Sequence, residues 1–220
     1  MFIGHYAVAL AAKRVDPKIP LWTMFVSVQL LDLIWPILLL MGLEHVRIDP
    51  GNTVVTPLDF YDYPITHSLV TVVGFSVAAT MVFYISRRKL TSSLVVGGGV
   101  LSHWILDAVV HRPDLPIVPG GELNVGLGLW NSIPGTIVAE LGLMAVGTVL
   151  YLASTDARTR TGLLAFWSLI VFLVGVWFAS LFGPPPPDVT TLAFSVLGLW
   201  LLIPWAYWID HTRSVPTPTS

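Results

Sequence analysis

The chain has no cysteine, which excludes disulfides, thiolate nucleophiles and thiolate metal ligands; a metal here could be held only by imidazole and carboxylate. Charge is almost as scarce. Asp, Glu, Lys and Arg make up 11% of the 220 residues, less than half of the roughly 25% usual in soluble domains, while 55% are hydrophobic. A water-soluble globule is therefore not expected. Positive charge is not in excess either: the formal net charge is -2, which leaves nothing to neutralise a polyphosphate backbone, so nucleic acid is not an expected partner. No internal repeat is evident, and the one low-complexity stretch, Pro184 to Pro187, reads as a stiff connector.

What the sequence does have is long apolar runs. Crossing a bilayer as a helix takes roughly 20 mostly apolar residues. Six such runs lie between charges and Pro or Gly punctuation, at approximately 21–43, 65–85, 92–110, 133–152, 162–182 and 191–209. The expected fold class is an all-α integral membrane protein of six transmembrane helices, forming a single transmembrane domain over 1–213 with a disordered tail at 214–220. Residues 2–12 are apolar but too short to cross. No basic residue precedes them, and Lys13 and Arg14 follow where a signal peptide would have its small-residue cleavage site. They are expected to remain as a short interfacial or half-inserted helix.

The basic residues give an orientation, because cytoplasmic loops carry the excess of Lys and Arg. Lys13, Arg14, Lys18, Arg87, Arg88, Lys89, Arg158, Arg160 and Arg213 fall on one side of the six spans, and only Arg47 and Arg112 on the other. Both termini are thus expected to be cytoplasmic, with outward loops at 44–64, 111–132 and 183–190.

An ionisable side chain at mid-membrane costs about 2.5 to 3.5 kcal/mol on insertion scales, which makes each one a candidate for function. Asp32, His67, His103, Asp107 and Glu140 fall inside the first four spans; the fifth has none, and the sixth has only Asp210 and His211 at its exit. Site-bearing helices are therefore expected within 1–152 and scaffold helices within 162–209. His103 and Asp107, four apart, share one helix face. That spacing suits a chelated metal, and equally a plain Asp to His hydrogen bond. At 1.5 Å per residue, Asp32 and His103 reach matching depths, with Asp107 and Glu140 a little further out, and His5 lower but in reach if its helix is half inserted. Gly97, Gly98 and Gly99 would let a neighbouring backbone approach just below His103. The expectation is one polar pocket in the outer half of the bilayer. Asp59, His45, His111 and Asp114 read as solvated loop residues, with Arg47 and Arg112 available to a lipid phosphate.

Gly4-His5, Thr66-His67-Ser68 and Ser102-His103-Trp104-Ile105-Leu106-Asp107, in register with the spans, resemble the LexA-regulated inner-membrane family of membrane-bound metal-dependent hydrolases. The likeness covers residues 1 to about 115. It implies an inner (cytoplasmic) membrane location and a metal-binding set of His5, Asp32, His67, His103 and Asp107, which is also similar to one zinc site of the zinc-dependent phospholipase C group. The chain departs from the family in two places. Leu30-Leu31-Asp32-Leu33 carries one acid where the family has Pro-Asp-x-Asp, and Asp62-Tyr63-Pro64-Ile65 stands where a His-Arg pair usually precedes Thr-His-Ser. A two-metal mechanism is put in doubt more than a one-metal site.

Imidazoles and carboxylates without thiolates suit a divalent metal, zinc above manganese or iron, and an open coordination position would activate water. Glu140 or Asp62 would then be the general base; the alternative for Glu140 is a buried acid bonded to Ser132, Thr136 or a neighbouring helix. A site opening to the outer leaflet meets phospholipids or lipid-linked substrates, so the expected function is hydrolysis of a lipid phosphoester or ester. A proton- or cation-coupled transporter and a metal-stabilised scaffold without turnover are the alternatives.

Overall fold

The computed structural model describes residues 1–215 and has the all-α architecture of a membrane protein, with six helices among the described residues long and apolar enough to cross a bilayer. Helix α1 (Ile3–Val15) leads into α2 (Leu21–Leu40). A bulged antiparallel hairpin follows, β1 (His45–Ile48) against β2 (Leu58–Asp62), then a single turn, α3 (Pro64–His67), then α4 (Leu69–Arg87) and α5 (Leu90–Val110). A small ladder of β3 (Leu115–Pro116) with β4 (Asn124–Val125) and a turn at Leu129–Asn131 lead to α6 (Ile133–Leu152). Strand β5 (Asp156–Ala157) precedes α7 (Arg160–Phe182), and the last span is α8 (Val189–Leu197), a tight turn at Gly198–Leu201, and α9 (Leu202–Thr212). Pro204, which can neither donate to nor fit against the preceding turn, accounts for the break there.

These helices are apolar on all sides, so their ends are set by caps rather than by amphipathic periodicity. Ser68, Ser132, Thr159 and Asp188 each accept the backbone N–H three residues on, at the starts of α4, α6, α7 and α8. The Ser68 cap revises one boundary. Ser68 is extended (φ -77°, ψ 142°), so the second span begins at Leu69 rather than at 65, and His67 sits on the separate turn α3. The tail also differs from expectation, because β6 (Arg213–Ser214) pairs with β5. The remainder of the expected disordered tail, 216–220, lies outside the described residues.

Helix α1 does not lie free on the surface of the bundle but is packed within it. Ile3, Tyr6, Ala9 and Leu10 have 0 to 1% exposure, and the helix packs against α6, α2 and α5. Close approach to α6 is possible because residue 147 is Gly: a Cβ there would lie 2.8 Å from Ala7 Cα. At its far end Lys13 pairs with Asp210 of α9 (3.3 Å). The glycine triplet of α5 works on two faces: Gly97 meets Ser76 of α4, whose Oγ donates to the Gly97 carbonyl (2.8 Å), and Gly99 meets Met24 and Ser27 of α2. Gly98 meets nothing within 4 Å. Helix α2 is central, touching α1, α5, α8 and α9, whereas α4 lies outermost against α5.

Candidate metal centre

Four helical elements bring their polar residues to one point. His67 Nε2 lies 3.6 Å from Asp32 Oδ1 and 3.9 Å from Asp107 Oδ2, and His103 Nε2 lies 3.7 Å and 3.0 Å from the same two oxygens. Each residue comes from a different place: Asp32 from α2, His67 from α3, and His103 and Asp107 from successive turns of α5. The second carboxylate oxygen of Asp107 accepts from the Met1 nitrogen (2.5 Å) and faces His5 Nε2 (3.2 Å). The His5 ring stacks flat on His103 with centroids 3.9 Å apart. The five residues expected in the metal set therefore fall into two triplets that share His103: His5, His103 and Asp107, and Asp32, His67 and His103. Asp32, with 23% side-chain exposure, is the most open of them; His5, His67, His103 and Asp107 have 6% or less.

The imidazoles are oriented from behind. His103 Nδ1 donates to the Val28 carbonyl (2.7 Å), which places a proton on Nδ1 and turns Nε2 to the centre; that buried Nε2 makes no hydrogen bond of good geometry, although Asp107 Oδ2 lies 3.0 Å away. His67 is held through a longer relay. Thr66 Oγ1 donates its only proton to Glu44 Oε2 (2.7 Å), so it can only accept from His67 Nδ1 (2.7 Å), which leaves His67 Nε2 as the nitrogen facing the cluster. Glu44 is 1% exposed, and its other oxygen accepts the N–H groups of Ile65 and Thr66 (2.8 Å each), anchoring α3 by its N-terminus. Trp104 Nε1 donates to the His67 carbonyl (3.0 Å), locking the turn to α5. In α2, Pro36 has no N–H to give the Asp32 carbonyl, so the helical ladder is interrupted at the residue that bears the carboxylate.

Glu44 escaped the sequence reading, since it sits at the mouth of a loop, where an acid reads as solvated. The expected bases are placed elsewhere. Asp62 is 43% exposed on the outer hairpin and pairs with His45 Nδ1 (2.7 Å). Glu140 is buried, and both its oxygens are taken up by backbone N–H groups at the start of α1, from Phe2 (3.0 and 3.2 Å) and Gly4 (3.0 Å). It anchors a neighbouring helix, which was the alternative to catalysis. The outer loops are also less solvated than expected. Asp59 is 9% exposed between Arg47 and Arg112, and both arginines are already engaged with it. His111, 3% exposed, bonds Asp114 (2.9 Å) beneath Phe60 and Trp130, and burial holds its pKa below the ordinary histidine value. Both were hidden from the sequence because the hairpin folds over the bundle end.

These buried His and Asp groups could hold a metal ion: His5, His103 and Asp107 offer atoms within 4.8 Å of one another, as do Asp32, His67 and His103. The donor set fits. Two donors each 2.0 to 2.2 Å from a tetrahedral ion lie about 3.4 Å apart, and the four His–Asp separations around His67 and His103 run from 3.0 to 3.9 Å. No protein-family model, curated protein or solved structure matches the chain.

Proposed function

We propose that the protein is a membrane-embedded, metal-dependent hydrolase acting on a lipid phosphoester or ester, and that its metal is zinc. The observation that carries this is the unpartnered His103 Nε2, aimed with His67 Nε2 at the carboxylates of Asp32 and Asp107. A buried polar atom without a partner is costly in an apolar surround, and a ligand is the simplest account of its retention. His67, His103 and Asp107 would hold the ion and leave a fourth position open, with His5 and the Met1 nitrogen fixing the far oxygen of Asp107. When bound, such an ion supplies Lewis acidity, polarising a phosphoryl or acyl oxygen and acidifying water. Asp32 is the residue best suited to take a proton from that water. Its Oδ1 faces both imidazoles, its Oδ2 has no hydrogen-bond partner among the described residues, and it is the member most open to its surroundings. Glu140 and Asp62 have other work.

The nine-to-two split of basic residues supports an inner-membrane orientation with both termini cytoplasmic, which puts the centre in the outer half of the bilayer. A phospholipid or lipid-linked substrate would reach it there. The likeness to membrane-bound metal-dependent hydrolases carried by His5, Thr66-His67-Ser68 and His103 to Asp107 supports the same chemistry.

Detergent-purified protein should carry about one zinc per chain by elemental analysis, and His103→Ala and Asp107→Ala should lose it. Metal-loaded protein in liposomes should release headgroup or phosphate, and a chelator should stop the release. Wild-type zinc content in both variants overturns the metal reading. Stoichiometric zinc without turnover on any lipid or generic phosphoester would leave a metal-stabilised scaffold, and flux abolished by Asp32→Asn in metal-free protein would leave a transporter.

A further inference from the structure

The other end of the bundle holds a second site. Where the α1–α2 link meets the end of α4 and the start of α5, a cavity of about 260 Å³ is lined by Lys18, Ile19, Pro20, Phe83, Arg87, Lys89 and Ser92. It is far from the His–Asp cluster, since the 13 residues from Leu90 to His103 span about 20 Å of helix. We propose that this cavity binds the phosphate-bearing headgroup of an anionic phospholipid, with the acyl chains running along α4.

Three observations converge on an anion. Lys18, Arg87 and Lys89 are exposed around the cavity, and the Lys and Arg ion pairs among the described residues belong to Lys13, Arg47 and Arg112, so the three cations are uncommitted. Asp16 ties the link to α5, one oxygen accepting the Lys18 N–H (3.0 Å) and the other the Ser92 hydroxyl; it forms no ion pair among the described residues, and three cations against this one carboxylate leave the rim positive. Finally, the 21-residue α5 starts here without a side-chain cap, so its first-turn N–H groups and positive dipole end face the same place.

The walls choose a lipid over a free anion. Ile19 is 1% exposed and lines the cavity with Pro20 and Phe83, and just beyond them Val82 and Ile85 of α4 are 69% and 66% exposed on a helix packed mainly against α5. A cationic rim above an apolar floor at the end of membrane helices matches a phosphodiester attached to acyl chains, and basic pockets between membrane helices are a recurrent way to hold acidic lipids. The turn itself favours charge over ease of folding. Arg88 takes φ +55°, a left-handed conformation usually left to Gly, and is the only non-glycine residue to do so among the described residues. It lies outside the cavity and so provides a control.

The test is retention of phosphatidylglycerol against phosphatidylcholine by the full chain, read by native mass spectrometry and by titration of lipid into detergent-purified protein. Wild type should retain about one phosphatidylglycerol. Each cation removed from the cavity lining should weaken binding about fivefold, so Lys18→Ala/Arg87→Ala/Lys89→Ala should weaken it on the order of 100-fold, while Lys18→Arg/Lys89→Arg should bind as wild type. Arg88→Gly, which removes a charge beside the cavity and relieves the turn, should stay within about twofold. Helix content and monodispersity confirm that the variants fold. Equal retention of both lipids, or an Arg88→Gly loss as large as that of Arg87→Ala, overturns the site. Saturation by inorganic phosphate with no lipid preference overturns the assignment to a lipid.

Discussion

Replacing Thr66 by Val tests whether the metal centre is set up from behind. Valine keeps the shape and removes one hydroxyl, and with it two bonds of 2.7 Å: the one to Glu44 Oε2 and the one accepted from His67 Nδ1. Thr66 is 0% exposed and Glu44 1%, so water cannot readily replace what is lost. Glu44 keeps the two N–H donors on its Oε1 but is left with a bare Oε2, and His67 Nδ1 is left with an orphaned proton. A hydrogen bond to a charged group is worth about 1.5 to 3 kcal/mol and an orphaned buried donor costs about 1 to 3, so the variant should be roughly 2.5 to 6 kcal/mol less stable. Freed of its orienting partner, His67 can turn or change tautomer, and the loss of such a partner costs 10- to 100-fold in metal affinity. Thr66→Ser should restore both. The measurements are thermal melting in detergent and zinc affinity by competition with a chelator. A Thr66→Val protein that melts lower yet binds zinc as wild type does would show that His67 is no ligand, and one unchanged in both would remove the relay.

Glu140→Gln should loosen the start of α1 by about 1 to 2 kcal/mol, because an amide replaces a carboxylate that accepts from Phe2 and Gly4 at a helix N-terminus; earlier proteolysis within residues 1–20 and a lower melting temperature are the expected readouts, and an unaltered digest would refute the anchoring role. Reporter fusions after Asn52 and after Lys89 should give external and internal signals respectively, and the reverse pattern would invert the orientation and the leaflet from which the centre is reached.

Much of the fold was legible because membrane helices announce themselves by length and apolarity, and the six spans needed only end corrections. Those corrections have local causes: Ser68 caps α4 and cuts His67 from it, Pro204 breaks the last span, and α1 is buried because Gly147 admits it, a contact that apolarity alone does not specify. The five candidate ligands were legible because charge is expensive in a membrane, so a His or Asp there stands out against its surroundings. Residues at the bundle end carried no such contrast. Glu44, Asp59 and His111 are as buried as core residues, yet they belong to loops whose fold over the helices depends on pairing between β1 and β2, distant in sequence from the surfaces they cover. The role of Glu140 was hidden differently: it is buried, but its partners are backbone N–H groups, which no side-chain pattern reveals.

The charge of the cluster leads to the last expected outcome. Asp32 and Asp107 bring two carboxylates among apolar helices; the Met1 nitrogen pairs with Asp107 Oδ1 (2.5 Å), and no Lys or Arg pairs with either carboxylate among the described residues, so one negative charge is left to balance. Buried negative charge is not tolerated without compensation. A divalent ion supplies that compensation and leaves the imidazoles neutral to donate lone pairs; without it, protons must do the same work. Binding of zinc should then expel protons, and affinity should fall as pH is lowered, since ligands must be deprotonated to bind. Addition of zinc to metal-free protein in weak buffer should release a measurable fraction of a proton or more per chain, with the release lost in His103→Ala. Zinc binding that neither releases protons nor weakens between pH 8 and about pH 5.5 would mean that the ion is held somewhere other than among these histidines.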